Sequence, residues 1–375
     1  MKIAVLRETA EGERRVAATP ETVKKFIALG AEMALEAGAG LTASIADADY
    51  QATGATVGPR EEVLRDADAV LGVQGPDAGS LQGLKAGALI VAALDPFKQR
   101  ERVDAYASAG VEALAMEFMP RITRAQSMDI LSSQSNLSGY KAVLDAASEY
   151  GRAFPMMMTA AGTIAAARVF IMGVGVAGLQ AIATARRLGA VVSATDVRAA
   201  TKEQIESLGA KAIFVENVKG IEGEGTGGYA TEMSDEYKAA QADLVSAHIA
   251  KQDIVITTAL IPGRPAPRLI TDAQLATMRP GSVVIDLAVE QGGNVEGAVL
   301  GEVVERHGVR IVGHGNVPSR LAADASALYS RNLYNFLSAF WDKEAGRVTL
   351  PDEDEIVRGV RLTRAGKVVH DRLLQ

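Results

Sequence analysis

A glycine-rich turn restricts the folds open to this chain more than any other feature: Gly173-Val174-Gly175-Val176-Ala177-Gly178 joins a predicted strand, VFIMG, to a predicted helix, AGLQAIATARRLG. In that setting Gly173 permits a tight turn, Gly175 lets the backbone approach a pyrophosphate, and Gly178 lets the helix pack on the strand. The positive end of the helix then stabilises the anion. The spacing predicts a dinucleotide site; a glycine-rich turn without a ligand is the alternative.

An acidic residue follows this turn where a nucleotide site needs one. Asp196 ends the next predicted strand, in SATDVR, about twenty residues further on. A carboxylate there bonds the ribose 2′-hydroxyl of NAD(H) and repels the 2′-phosphate of NADP(H). Arg198 is close by in sequence and keeps NADP(H) open as the alternative. We predict an NAD(H) site that includes both Asp196 and Arg198.

Predicted strands and helices alternate along both halves of the 375-residue chain. Such alternation is typical of a doubly wound parallel sheet, and the length fits two domains. We therefore predict an α/β fold of two Rossmann-like domains with a cleft between them. Residues 1–131 are predicted to form the first domain, residues 132–318 the NAD(H)-binding domain, and residues 319–375 a C-terminal helix and tail that return to the first domain.

Composition excludes several classes of site. The chain has no cysteine, which excludes disulfides, thiolate zinc sites, iron–sulfur ligation and a thiol nucleophile. Its net charge of -7 is opposite in sign to a nucleic-acid footprint, so no nucleic-acid partner is expected. The 4 histidines lack the close spacing of metal ligands, and no metal site is predicted. The single tryptophan, Trp341, is expected in the apolar stripe of the C-terminal helix.

No targeting or membrane-spanning segment is recognisable in the sequence. The apolar run IAVL near the N-terminus gives way to charged residues, so a signal peptide is not expected. The most apolar stretch, residues 169–183, is too short for a membrane span. We expect a cytoplasmic protein.

A polar run, RITRAQSMDILSSQSN, occupies residues 121–136 between the two predicted domains. Ligand sites commonly form at domain interfaces, where fixed amide, hydroxyl and charged groups orient a nicotinamide ring without needing an acid or a base. A polar linker with an Arg–Asp pair fits the spacing equally well. A second segment, residues 215–232, is glycine-rich and is predicted to be a mobile loop that carries Tyr229.

The chain resembles the NAD(H)-binding domain I of proton-translocating transhydrogenases in several segments, among them RITRAQSMDILSSQSNLSGYKAV, FPMMMTAAGT, GGYATEM, ITTALIPGRPAP, VIDLAVEQGGN and GHGNVPSRLAADAS. The resemblance implies that Arg121, Gln126 and Asp129 form a loop beside the nicotinamide and that Ser132 contacts the nucleotide. It also implies that Tyr229 is the tyrosine of that family's mobile loop.

The same resemblance implies a set of partners. A domain I forms a homodimer, docks on an NADP(H)-binding domain III, and exchanges hydride directly with the NADP(H) held there. A membrane-spanning domain II couples the exchange to proton translocation, which would place this chain peripherally on the inner face of the cytoplasmic membrane. The predicted hairpin at residues 155–168 would reach the other subunit of the dimer.

Alanine dehydrogenase, which shares the fold, is the closest rival. That family resembles this chain at RVAATP, where Arg15 matches a substrate arginine, and at AVEQGG. However, Gln74 stands where that family has a lysine, and Ala93 stands where it has a histidine. Amino-acid oxidation would therefore lack its acid–base group. A non-catalytic NAD-sensing module is a third hypothesis, and assays of turnover would separate the three.

Overall fold

The structure is a computed structural model that describes residues 1–215, 235–261 and 263–374. It divides into two compact units, which we call unit 1, Met1–Gln134 with Ser319–Gln375, and unit 2, Ser135–Pro318. The domain boundaries expected from the sequence, at 131/132 and 318/319, remain predictions.

The first segment of unit 1 forms a six-stranded parallel sheet in the order β3-β2-β1-β4-β5-β6. Apolar runs such as IAV of β1 are buried, as expected of strands covered on both faces. Four helices connect the strands, and the first begins with Pro20 after Thr19, a favourable start. The elements are β1 (Lys2–Val5), α1 (Pro20–Ala28), β2 (Glu32–Glu36), α2 (Asp47–Gln51), β3 (Thr56–Gly58), α3 (Arg60–Leu64), β4 (Ala69–Gln74), β5 (Leu89–Ala93), α4 (Arg100–Ser108) and β6 (Glu112–Ala115).

Unit 2 holds a seven-stranded sheet in the order β11-β10-β9-β12-β13-β15-β14, parallel except for β14. An exposed hairpin, β7 and β8, precedes it. The elements are α5 (Ile130–Glu149), which begins in unit 1, β7 (Met157–Thr159), β8 (Gly162–Ile164), β9 (Arg168–Met172), α6 (Val176–Arg187), β10 (Val191–Thr195), α7 (Thr201–Ser207), β11 (Lys211–Ala212), α8 (Asp235–Ile249), β12 (Ile254–Thr257), α9 (Asp272–Leu275), β13 (Val283–Asp286), β14 (Val303–Arg306) and β15 (Val309–Val312).

The C-terminal segment completes unit 1 with α10 (Ala322–Ala339), β16 (Trp341–Asp342), β17 (Arg347–Val348), α11 (Glu355–Val360), β18 (Thr363–Arg364) and β19 (Lys367–Val368). The placement of Trp341 in the long helix was wrong. The helix ends at Ala339, and Trp341 is buried in β16, which pairs with β17 across a turn. The side chain still packs in the core. The apolar residues around it in the sequence therefore predicted its burial correctly but not the element to which it belongs.

The strand orders fix where ligands are expected. In both sheets the order reverses between two neighbouring strands, β1 and β4 in unit 1 and β9 and β12 in unit 2. Ligands of open α/β sheets bind outside the carboxyl ends of such a strand pair. The α/β class with doubly wound parallel sheets is confirmed. No helix among the residues that the structure describes is long and apolar enough to span a membrane.

Candidate functional site

The glycine-rich turn lies at the carboxyl end of β9, at the reversal point of the unit 2 sheet. Gly173 has a φ of 99°, a conformation that side-chain-bearing residues rarely adopt, and a Cβ there would lie 2.6 Å from Thr258 Oγ1. A Cβ at Gly178 would lie 1.9 Å from the Gly173 carbonyl oxygen, so helix and turn touch through backbone alone. Both positions therefore require glycine for packing reasons.

Gly175 differs, because a Cβ at this position would meet no atom of the described residues within 4 Å. Gly175 precedes α6, a helix of 12 residues, and contributes no side chain that could cap its first amide groups. Among the residues that the structure describes, none fills the space next to Gly175 at the positive end of α6, and the absent side chain of Gly175 permits close approach. This arrangement fits a pyrophosphate group of a dinucleotide.

Asp196 follows β10 and is 7% exposed. Its Oδ2 accepts hydrogen bonds from the Val174 amide at 2.7 Å and from Arg198 Nη2 at 3.0 Å. Its Oδ1 accepts from the Arg198 amide and from Arg198 Nε, both at 2.9 Å. Each oxygen thus receives two bonds, which fills the accepting capacity of the carboxylate. A ribose hydroxyl that reached Asp196 would have to replace one of the guanidinium bonds.

The loop after β12 forms the other wall of the turn. Thr258 donates from its hydroxyl to the Gly173 carbonyl at 3.0 Å, and its amide donates to the Met172 carbonyl at 2.9 Å. Asn294, which is 0% exposed, bonds to the backbone of this loop at Ala259. Sequence reasoning did not select Thr258 or Asn294 as site residues. The available signal was that Thr258 comes directly after a buried strand that neighbours β9.

The predicted nicotinamide loop lies in unit 1, not in the unit that carries the glycine turn. Residues Thr123–Met128 form a 3-10 helix in which Gln126 is exposed. The carbonyl of Ser127 accepts hydrogen bonds from the side-chain amides of Asn332 at 2.8 Å and Asn335 at 3.0 Å, both on α10. The backbone of this loop is therefore anchored while the side chain of Gln126 faces solvent.

Asp129 and Ser132 lie together at the start of α5. The Asp129 carboxylate accepts from the Ser132 amide at 3.0 Å and from the Ser132 hydroxyl at 2.5 Å, an arrangement typical of a helix N-terminus. Arg121 is exposed on the same segment, and Tyr229 lies outside the described residues. The structure thus brings together Gly173, Gly175, Gly178, Asp196 and Arg198 in unit 2, and Asp129 and Ser132 in unit 1.

The carboxyl edge of the unit 1 sheet carries a buried polar cluster. Arg15 forms a two-pronged ion pair with Glu13, with Nε–Oε1 at 2.8 Å and Nη2–Oε2 at 2.7 Å, and donates from Nη1 to Gln134 at 2.9 Å. Gln74 donates to Glu13 at 3.1 Å. Burial opposes ionisation of Glu13, but the hydrogen bonds and the charge of Arg15 outweigh the effect of burial and lower the pKa of Glu13 to about 2.

Two further carboxyl groups of this edge sit at strand ends. Glu8 accepts from the Val73 amide at 2.6 Å, and Glu117 accepts through Oε1 from the amides of Leu94 at 2.8 Å and Asp95 at 2.5 Å. Burial raises the pKa of each to about 7. Over the described ranges, no group of three or more His, Asp or Glu side chains is placed to hold a metal ion.

Comparison with known proteins gives two family matches. Residues 4–138 match the alanine dehydrogenase/PNT N-terminal domain, and residues 142–371 match the C-terminal domain of the same family. The chain is 54% identical to an NAD(P) transhydrogenase alpha-subunit polypeptide of Rhodospirillum rubrum, over 100% of this chain and 99% of that protein.

Two solved structures are similar over nearly the whole chain. The transhydrogenase of Sinorhizobium meliloti superposes with a TM-score of 0.90 at 55% identity, covering 98% of this chain and 100% of that one. An L-alanine dehydrogenase superposes with a TM-score of 0.81 at 25% identity, covering 100% and 98%.

Proposed function

The chain belongs to the alanine dehydrogenase/PNT family, and from that premise we propose that it is the NAD(H)-binding subunit of a proton-translocating NAD(P) transhydrogenase. The observation that carries the proposal is the glycine turn with its open helix N-terminus beside the buried carboxylate of Asp196. The similarity to a transhydrogenase alpha subunit over the full chain supports the same assignment.

In this proposal the residues of unit 2 bind and orient the nucleotide. The amides at the start of α6 receive the pyrophosphate beside Gly175, and Asp196 receives the adenosine ribose in exchange for a bond to Arg198. A bound nicotinamide would supply hydride chemistry at its C4 atom. Arg121, Gln126, Asp129 and Ser132 would position that ring, and Tyr229, which lies outside the described residues, is proposed as a further nucleotide-binding residue. No acid or base of the chain is required, since hydride exchange moves no proton through a side chain.

The partners in this proposal are a second copy of the chain, an NADP(H)-binding domain III that supplies the other nicotinamide, and a membrane-spanning domain II. Binding to those domains would hold the chain at the inner face of the cytoplasmic membrane. The subunit name of its relatives supports partner subunits in general.

The rival activity, oxidation of an amino acid, is disfavoured by the buried cluster of unit 1. The guanidinium of Arg15 forms an ion pair with Glu13, and the side-chain amide of Gln74 donates a hydrogen bond to the same carboxylate. The polar groups of Ala93 are those of its backbone: the amide donates to the hydroxyl of Tyr329 at 3.2 Å, and the carbonyl accepts from the Gly75 amide at 2.9 Å. Position 93 therefore has no side chain that could exchange a proton with a substrate.

Nucleotide titration and two activity assays test the proposed function. NADH should bind the isolated protein much more tightly than NADPH, because the carboxylate of Asp196 repels a 2′-phosphate. Mixing with a domain III that carries NADP⁺ should give hydride transfer from NADH. Alanine and other amino acids should not reduce NAD⁺. Equal affinity for the two nucleotides would contradict the site assignment, and steady amino-acid oxidation would favour the dehydrogenase.

A further inference from the structure

We propose that Asn294 is a positioning residue for the NAD(H) site, because its buried amide holds the loop after β12 against the glycine turn. The inference rests on the proposed function, which supplies the ligand, NAD(H). It goes beyond the proposed function because it names the residue that shapes one wall of the site. Asn294 itself is 0% exposed and has no route to a nucleotide. Its effect must therefore pass through the backbone that it binds.

The wall in question lies where the strand order reverses. The loops after β9 and β12 leave the sheet side by side, and Thr258 joins them by its bonds to Met172 and Gly173. A Cβ at Gly173 would lie 3.3 Å from the Ala259 amide nitrogen, so this backbone borders the turn closely enough to leave little room for a side chain there. A shift of Ala259 would therefore change the space beside Gly173.

The side chain of Asn294 makes three hydrogen bonds to this loop. Its Oδ1 accepts from the Ala259 amide at 3.0 Å, and its Nδ2 donates to the carbonyls of Ala259 at 2.9 Å and Pro267 at 2.8 Å. The amide thus pairs with both polar groups of one residue and ties that residue to another further along the loop. Among the common side chains of this size, only an amide carries the donor and the acceptor needed.

The position of Asn294 is itself fixed. Its carbonyl accepts from the amides of Leu269 at 2.8 Å and Ile270 at 3.0 Å. The preceding turn is held by the Asp286 carboxylate, which accepts from the amides of Ala288 at 2.9 Å and Val295 at 3.0 Å. Gly293 has a φ of 78°, and a Cβ there would lie 2.8 Å from Asp286 Oδ2. The turn is therefore a rigid support for the amide.

The test compares Asn294→Ala with Gln252→Ala. Gln252 is a suitable control because it is a buried amide of the same unit, 5% exposed, that bonds to His248 at the opposite edge of the sheet. Each variant loses buried hydrogen bonds, so both should unfold at a lower temperature. Only Asn294→Ala should weaken NADH binding, by about tenfold or more. NADH fluorescence titration and thermal unfolding give the two readouts.

Hydrogen exchange provides a readout that does not depend on the nucleotide. In Asn294→Ala, backbone amides of residues 258–261 and 263–270 should exchange faster, while those of β10 should not change. Asn294→Asp is the second variant if the alanine variant folds poorly, since it keeps the shape and the acceptor but loses both donors. It should also weaken NADH binding.

Three results would overturn the inference. Unchanged exchange in residues 258–261 and 263–270 would show that Asn294 does not hold the loop. Faster exchange with unchanged NADH affinity would show that the loop does not shape the site. An equal loss of affinity in Gln252→Ala would show a general effect of instability. Failure of the wild-type chain to bind NADH would instead overturn the proposed function, and this inference with it.

Discussion

A substitution at Gly175 tests nucleotide binding without disturbing folding better than a substitution at the other glycines of the turn. Gly173 and Gly178 are required by contacts within the protein, whereas a methyl group at Gly175 would contact none of the residues that the structure describes. We expect Gly175→Ala to leave the melting temperature within a few degrees of wild type and to weaken NADH binding by about tenfold or more, because the methyl group fills the approach of the pyrophosphate.

Gly151→Ala is the matched control, since a Cβ there also meets no atom within 4 Å in the described part of the chain and the residue lies in the same unit. NADH titration and thermal unfolding of both variants check the prediction. Undiminished NADH affinity in Gly175→Ala would place the pyrophosphate elsewhere.

Glu117 should make the stability of unit 1 depend on pH. Its Oε2 is enclosed without a hydrogen-bond partner among the described residues, and burial raises its pKa from 4.5 to about 7. The folded state therefore keeps a proton that the unfolded state releases between these values. The free energy of unfolding should fall as pH rises through that window, by about 1–3 kcal/mol.

Glu117→Gln tests this contribution, because the amide oxygen can still accept from the amides of Leu94 and Asp95. Denaturant unfolding at pH 5 and pH 8 should show a smaller pH dependence for the variant, and at pH 8 the variant should be the more stable protein. An identical pH dependence in both proteins would contradict the assignment.

In the 3-10 helix Thr123–Met128 the backbone is held in place, whereas the side chain that we expect to act on the nicotinamide is exposed. Its backbone is tied to α10 through the Ser127 carbonyl, and Gln126 is exposed. We expect Gln126→Asn to slow single-turnover hydride transfer to a domain III partner by about a hundredfold, because a shorter side chain misplaces the amide by about an ångström. NADH affinity should change by less than about twofold, which is no more than the scatter of such measurements.

Ser127→Ala is the control, because its carbonyl would still accept from Asn332 and Asn335. Stopped-flow transfer and NADH titration of the two variants are the measurements. An unchanged rate of hydride transfer in Gln126→Asn would show that this element is only a linker. A parallel loss of NADH affinity would show that Gln126 belongs to the nucleotide pocket.

Elements were predicted well where a local pattern determines them. The turn, β9 and α6 follow from glycine spacing and apolar periodicity, and the hairpin before them from a small turn between two apolar runs. The end of α10 before Trp341 could not be read, since an apolar residue fits either a helix stripe or a short strand. The bonds of Asn294 to Ala259 join residues that are distant in sequence, and no local pattern encodes such a pairing.

At the scale of the whole molecule, the hairpin β7–β8 and the residue that precedes it, Met156, present unusually exposed apolar groups. Met158 is 80% exposed and Met156 is 61% exposed. A flexible apolar side chain at such exposure is typical of a surface that a partner covers. We expect the double variant Met156→Ser, Met158→Ser to shift the proposed homodimer toward monomer by at least about tenfold in dissociation constant.

Val191→Ser is the control, because it removes an apolar side chain of the same unit that is also 61% exposed. Sedimentation velocity over a concentration series measures the shift, and NADH titration checks that the nucleotide site is intact. A wild-type protein that is monomeric throughout, or an unaltered dimer in the double variant, would contradict a role for the hairpin in assembly.

Unit 1 is built from two stretches of chain with the whole of unit 2 between them. A ribosome releases the chain from its N-terminus, so unit 2 has been synthesised in full before Tyr329 emerges to donate to the carbonyls of Gly72 and Val73. The first unit to leave the ribosome is thus the last to be completed, although all six strands of its main sheet are synthesised before unit 2. We expect the nascent chain to form that sheet first and unit 2 next, and to complete unit 1 only when α10 emerges.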